Sequence, residues 1–315
     1  LRCPSRAHAQ LEASALPRQT QEVIIGVYAV TGSTSGIGHH TAQQLRDRGH
    51  TVIGIDVKGS DVIADLSTPH GRQTAAEGVL SISGGLLDGA VLSAGIGPGP
   101  GADRARKIAE ANYFGVIELL NTWQSALAAG ESAKVVVLAS NSTTITPIVT
   151  KRTIRALLAG DVTGAERSVR MLGRGAAPVM YAASKTAVSR WVRHNAVKPE
   201  WAGRGIRLNA LAPGPVKTPL LDQQLAHPLE GKAMQALPIP TGEFGDPACI
   251  ADWIIFMLSG SAKFLCGSVI FVDGGMDAYF RAHDWPAAIS LHELPRYLWR
   301  LTRYSKTQKT SDALS

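Results

Sequence analysis

The chain is poor in cysteine, in aromatic residues and in charge. Its three cysteines, Cys3, Cys249 and Cys266, are an odd number and widely spaced. They fit neither a disulfide framework nor a metal-ligand pattern, and they read as the reduced thiols of a cytoplasmic protein with no metal site. Aromatic residues make up 6% of the 315 positions and charged residues 18%, whereas hydrophobic residues reach 45%. Such a balance excludes global disorder and supplies a large buried core. No uncharged apolar run approaches the ~20 residues that a membrane-crossing helix needs, so a soluble chain without membrane association is expected. Internal repeats and low-complexity tracts are lacking as well.

The net charge is +7, and its placement says more than its size. From Arg281 onward six basic residues stand against Asp284, Glu293 and Asp312, and residues 1–22 add one further positive charge. The body between them spreads 23 basic residues over 20 acidic ones, which is not the concentrated basic face of a nucleic-acid binder. Residues 1–22 mix Arg, Gln, Ser and Pro without periodicity and hold no apolar core of a secretory signal. They are predicted to be a disordered extension that can be removed without loss.

From Val23 the sequence becomes rhythmic. Strand-length apolar runs at Val27–Val30, Thr51–Ile55, Gly89–Leu92, Val135–Leu138, Ile206–Leu211 and Ser268–Val272 alternate with helical stretches. The helices are read at Gly38–Arg48, Arg104–Trp123, Met180–Val197 and Ala248–Leu258. Alternation of this kind, with strands apolar throughout, predicts an α/β fold with a doubly wound parallel sheet covered on both faces. One domain is expected over 23–280, with a tail over 281–315.

Two motifs carry chemistry. Directly after the first strand comes Thr31-Gly32-Ser33-Thr34-Ser35-Gly36-Ile37-Gly38. Three glycines at this spacing, between a strand and a helix, allow a tight turn and close approach of a pyrophosphate to the helix N-terminus. Asp56 follows the second strand, 24 positions after Gly32, where a carboxylate can accept hydrogen bonds from both ribose hydroxyls and repel a 2′-phosphate. A solvated loop aspartate is the other reading of that residue. Further on, Tyr181 and Lys185 in Tyr181-Ala182-Ala183-Ser184-Lys185 share one helix face. A lysine ammonium, together with a cationic nicotinamide, would bring the tyrosine hydroxyl from ~10 into a range useful for proton transfer.

With these residues the chain, from about Ile25 to Phe280, resembles the short-chain dehydrogenase/reductase superfamily, whose fold is of the Rossmann type. The resemblance implies NAD as cofactor, with NADP less favoured. It implies Ser140 as the serine that bonds the substrate oxygen, with Ser142 as a rival, and Asn112 as the anchor of a proton-relay water. Catalysis would then rest on Asn112, Ser140, Tyr181 and Lys185. The cofactor would be held by Gly32, Ser35, Gly36, Ile37, Gly38, Asp56, Asp65, Leu66, Ala94 and Gly95. Tyr181, Lys185 and the loop residues Pro213, Gly214, Val216 and Thr218 would complete its site. A catalytically silent NAD-binding sensor is the competing reading, although such a protein would need none of Ser140, Tyr181 and Lys185.

Two departures from the family pattern stand out. Leu92-Ser93-Ala94-Gly95 replaces the usual Asn-Asn-Ala-Gly, so the asparagine bonds that brace the sheet need a substitute. The gap of 41 positions between Ser140 and Tyr181 holds an insertion, about 143–178, read as two short helices broken at Gly160 and Gly164. This insertion, with Gly54-Ile55-Asp56-Val57 and Asp273–Ala278, is similar to bacterial 3α-hydroxysteroid dehydrogenase/carbonyl reductases and coniferyl-alcohol dehydrogenases. A hydrophobic alcohol or ketone and a homodimer are the implied partners. Ile154, Leu157, Leu158, Val169, Met171 and Leu172 are expected to pack, either as a wall of the substrate cleft or as a cap on the sheet edge. In the tail, Tyr297, Leu298 and Leu301 oppose Arg296, Arg300 and Arg303, a stripe that suits either an interface or packing on a subunit.

Overall fold

A computed structural model describes residues 25–226, 228–284, 291–300 and 303; the extension over 1–22 and Leu301 of the tail stripe lie outside the described residues. The chain begins β1 (Val27–Thr31), α1 (Gly36–Asp47), β2 (Thr51–Asp56), β3 (Val62–Ile63), α2 (Pro69–Ser83) and β4 (Gly89–Leu92). A helical run follows as α3 (Arg104–Ala109), a π-turn at Glu110–Phe114 and α4 (Gly115–Ala129). Next come β5 (Lys134–Leu138), α5 (Ser142–Ile145), α6 (Lys151–Leu158), α7 (Val162–Arg170), α8 (Ala176–Asn195) and β6 (Arg207–Pro213). The order closes with α9 (Pro219–Ala226), α10 (Pro228–Gln235), α11 (Pro247–Leu258), β7 (Val269–Val272) and α12 (Met276–Arg281). Among the described residues no helix is long and apolar enough to cross a membrane.

All seven strands are parallel, in the order β3-β2-β1-β4-β5-β6-β7. Successive side chains of a strand point to opposite faces, and here both faces are dry. Ala29, Ala90, Leu92, Val135 and Val137 join one core with residues of α2, α4 and α8. Their neighbours Val30, Val91, Val136 and Leu138 join a second core with residues of α1 and α11. This double burial is why the strands read as unbroken apolar runs. The chain reverses its direction of winding at β1, which pairs with β2 on one side and β4 on the other. Beyond the carboxyl ends of those strands the connections diverge and leave a crevice.

Helix α2 went unassigned in the sequence although its boundaries are written there. Thr68 Oγ1 accepts the Gly71 N–H at 3.0 Å, Pro69 occupies the first turn, and Gly84 ends the helix at φ +62°. The run expected as one helix over Arg104–Trp123 extends to Ala129 and is loosened by the π-turn. A buried charge cluster sits beside that turn. Arg72 donates to Glu110 at 3.0 Å, to Glu118 at 2.6 Å and to the Leu66 carbonyl at 3.3 Å, and Arg106 links Glu110 to Glu166 of α7. Removing one member of such a buried pair costs about 3–5 kcal/mol, because its partner stays buried and uncompensated.

The insertion forms two helices, as its spacing implied, but their packing differs from expectation. They lie on α3 and α8, burying Ile154, Leu157, Ala165 and Val169. Gly160 breaks the run at φ +78°, whereas Gly164 lies within the first turn of α7, its N–H bonded to the Asp161 carboxylate at 2.7 Å. Leu158, Met171 and Leu172 do not pack: Met171 is 97% exposed. In the tail, Tyr297 and Leu298 are also exposed, and the Arg303 guanidinium lies 5.0 Å from the centre of the Trp299 ring.

Candidate active site

Two cavities open above the carboxyl ends of the strands and share Ile37, Ser93, Gly95, Thr218 and Leu220, so they form one bent crevice. The arm of about 340 Å³ lies over the β1–α1 turn and the end of β2. Gly32 adopts φ +70°, a left-handed conformation that favours glycine. Gly38 lies behind the turn, where a Cβ would come within 2.2 Å of the Gly32 carbonyl oxygen. The first turn of α1 carries no acidic residue, and its N-cap Ser35 makes no side-chain capping bond. Free N–H groups at such an end suit an anion. Asp56 lines the same arm, its carboxylate held by the Thr34 N–H at 3.0 Å, the Thr34 hydroxyl at 2.7 Å and the Val57 N–H at 2.7 Å. Asp65, Leu66 and Ala94 complete the walls, with one Asp65 oxygen turned back to the Ser67 N–H. This glycine cradle, open helix end and fixed carboxylate fit the pyrophosphate and ribose of a dinucleotide.

The arm of about 320 Å³ is lined by Ser140, Tyr181 and Lys185 together with Pro213, Gly214, Val216 and Thr218. Helix α8 carries Tyr181 and Lys185 one turn apart, and the end of β5 presents Ser140 to them. Ser140 stands beside Tyr181 on the wall of this arm, and its Oγ accepts the Ser142 N–H at 3.1 Å. Lys185 Nζ donates to the Leu138 carbonyl at 2.7 Å. Both Ser140 and its rival Ser142 line this arm, and the buried Ser142 hydroxyl has no partner among the described residues.

Burial shifts both titrating side chains of the site. It pushes the Tyr181 hydroxyl above its ordinary value, and the neighbouring Ser140 only partly offsets this. Burial also pulls Lys185 down to about 8.

Gly38 and Asn112 line neither arm. Asn112, fully buried in the π-turn, clamps the main chain of Ile96 by accepting its N–H at 2.7 Å and donating to its carbonyl at 2.9 Å. Its side chain is thus a brace rather than a water ligand. With the Thr31 hydroxyl, which accepts the Ala94 N–H at 3.0 Å, it replaces the asparagine bonds missing from Leu92–Gly95. Thr31 and Thr34 were not recognised from the sequence, since a threonine in a turn carries no signal of its own. Nor were the wall residues of α9 and α10, Leu221, Gln224 and Met234, which reach the cleft through packing distant from any motif. The insertion helices do not wall it: of that segment only Ile145, Thr146 and Pro178, outside α6 and α7, touch the cavity. The expected cleft wall is therefore corrected, because α3 and α8 already take the apolar faces of both helices.

Comparison with known proteins agrees with this geometry. The sequence profile described as enoyl-(acyl carrier protein) reductase matches residues 162–277. The chain is 35% identical over 257 residues to the 3-alpha-hydroxysteroid dehydrogenase/carbonyl reductase of Comamonas testosteroni, covering 82% of this chain and 98% of that one. It is 31% identical over 267 residues to the cis-4-hydroxycyclohexanecarboxylate dehydrogenase of Sinomonas cyclohexanicum, covering 80% and 96%. Among solved structures, the 3-alpha-hydroxysteroid dehydrogenase from Pseudomonas sp. B-0831, complexed with NADH, superposes with a TM-score of 0.77 at 43% identity, covering 82% of this chain and all of that one. Fold, crevice and relatives together define an oxidoreductase that acts on hydroxyl or carbonyl groups. The chain belongs to the short-chain dehydrogenase/reductase family.

Lys185 gives this site a testable pH signature. Its folded value of about 8 lies below the ordinary 10.5, so the unfolded chain binds this proton more tightly. The burial penalty is complete below pH about 8 and is relieved as pH rises toward 10.5, so this residue makes stability increase across that window. Urea unfolding on either side of the window should show that component in the native protein and not in Lys185→Met.

Proposed function

We propose that the protein is an NAD(H)-dependent oxidoreductase that interconverts a hydrophobic alcohol, hydroxysteroid-like or aryl allylic, with its carbonyl compound. The observation that carries this reading is the convergence of Ser140, Tyr181 and Lys185 on the wall of a cleft continuous with the glycine cradle. A bound nicotinamide would supply the hydride acceptor or donor and, when oxidised, the positive charge that Tyr181 needs. Tyr181 then takes the proton from the substrate hydroxyl, or returns it to the carbonyl oxygen in the reverse direction. Ser140 orients that oxygen with its O–H, the Ser142 N–H holding one of the two lone pairs of its Oγ. Lys185 holds positive charge below Tyr181 and is assigned the nicotinamide ribose. Asn112 is assigned to the proton relay through its main-chain carbonyl, since its side chain is engaged with Ile96.

Asp56 sets the choice of cofactor. A carboxylate offers about four lone-pair positions, so the three bonds to Thr34 and Val57 orient it and leave about one position, on the oxygen that accepts only the Val57 N–H, for a ribose hydroxyl. NAD is favoured over NADP, in keeping with the NADH complex of the Pseudomonas relative. The substrate arm is walled by Ile145, Pro178, Leu220, Leu221, Met234 and Leu237, which favours a ring-bearing apolar alcohol over a sugar. The same reading includes a cytoplasmic homodimer. Its interface is assigned to α11 and the open edge at β7, where Trp253 and Phe256 stand 43% and 49% exposed, because α6 and α7 cover the α3–α8 face.

Three results would test this reading. Tyr181→Phe should lower turnover by about a hundredfold or more while NADH still binds, as titration of its fluorescence would report; an active variant would mean that the proton is moved by another group. Native enzyme should prefer NAD to NADP by at least about tenfold in kcat/KM, ~1.4 kcal/mol, and Asp56→Ala should erode the ratio. Equal use of both cofactors would remove Asp56 from its role. Trp253→Asp should elute as a monomer in size-exclusion chromatography, and an unchanged dimer would place the interface elsewhere.

A further inference from the structure

The outer surface of the insertion has no part in the chemistry above, and its composition is lopsided. Between residues 151 and 174 stand six basic side chains, Lys151, Arg152, Arg155, Arg167, Arg170 and Arg174, and only two acidic ones, Asp161 and Glu166. Helical geometry sorts them. In α6 the buried positions Thr153, Ile154 and Leu157 fall on one side, so Lys151, Arg152 and Arg155 fall on the other. In α7 the buried Ala165 and Val169 leave Arg167 and Arg170 outward. Helix α6 packs on α8 and α7, and α7 packs on α3 and α8, so both helices turn their other sides away from the body.

All six cations are exposed, and among the described residues none forms an ion pair. The two acids do not offset them locally: Asp161 caps α7 through the Gly164 N–H, and Glu166 is paired with Arg106 beneath. At the end of α7, within this basic surface, Met171 is 97% exposed and Leu172 42%. The body that looks evenly charged along the sequence thus carries one concentrated cationic face with an apolar tip.

We propose that this face docks the enzyme on an anionic lipid surface, with the arginines of α6 and α7 against headgroups and Met171 and Leu172 entering the interface. Charge complementarity requires an anionic partner. The apolar tip favours lipid over nucleic acid, which offers phosphates but no aliphatic phase for a methionine and a leucine. Neither helix lines the catalytic crevice, so docking leaves the cleft open to substrate.

The test is co-sedimentation of the full-length protein with phosphatidylcholine vesicles, with and without phosphatidylglycerol. Binding is expected only to the anionic vesicles, and it should fall as salt is raised, because the contacts are exposed and screened. Arg167→Glu with Arg170→Glu should weaken it by about tenfold or more, and Met171→Ser should weaken it separately, both with unchanged turnover in solution. Failure of the native protein to sediment, or equal sedimentation of the charge-reversed variant, would overturn the proposal; the latter would move any membrane contact to another part of the chain. Retention on duplex DNA that is lost on charge reversal but indifferent to Met171→Ser would overturn it too, in favour of a polyanion.

Discussion

The position of β1 between β2 and β4 is the constraint from which the site follows. Each arm of the crevice lies beyond the carboxyl ends of strands fixed by this central pairing. The β2 side brings Asp56 to the glycine turn, and the β4 side brings Ala94 and Gly95 against it. Continuation through β5 and β6 adds Ser140 and the Pro213–Thr218 loop in register. Close main-chain packing holds the centre of this array. A Cβ at Gly32 would stand 3.1 Å from the Ala94 backbone, so the turn and the β4 loop are nearly in contact before any side chain is considered.

Much of this was legible because local pattern and tertiary need coincide. Double burial makes each strand uniformly apolar, and the phosphate-binding turn needs glycines whose spacing is fixed by sterics. The Tyr181–Lys185 pair follows from helix periodicity. Legibility ended where side chains act at a distance. Nothing adjacent to Arg72 announces that it will meet Glu110 and Glu118, which lie in another helical run. The π-turn is equally silent, since Glu110–Phe114 has ordinary helical composition and is loosened by its surroundings. The insertion shows a third limit. Periodicity located its apolar stripes, but which surface receives a stripe is decided by neighbouring helices, and here those are α3 and α8 rather than the cleft.

Chemistry and scaffold also divide their labour differently from the family pattern. Asparagine side chains commonly brace the main chain after β4; here a threonine hydroxyl and the amide of Asn112 hold Ala94 and Ile96. Polar satisfaction is conserved while the residues that provide it change. The site itself is held in tension between burial and charge. Burial raises the Tyr181 hydroxyl and pulls Lys185 down to about 8, so below that pH the resting centre pairs a protonated tyrosine with an ammonium.

The pairing of β1 with β4 has a consequence for how the protein is made. Val30 and Val91 are register partners, yet they are separated by two strands and two helices in the order of synthesis. The glycine turn therefore leaves the ribosome well before the backbone that will shield it. Until β4 docks, Gly32 has no Ala94 opposite it and the crevice has only one wall. Contacts of such long range slow folding, and the unfinished edge of β1 is open to pairing with other chains. A dinucleotide can meet its site only after β4 is in place, and its binding then favours the finished fold by mass action.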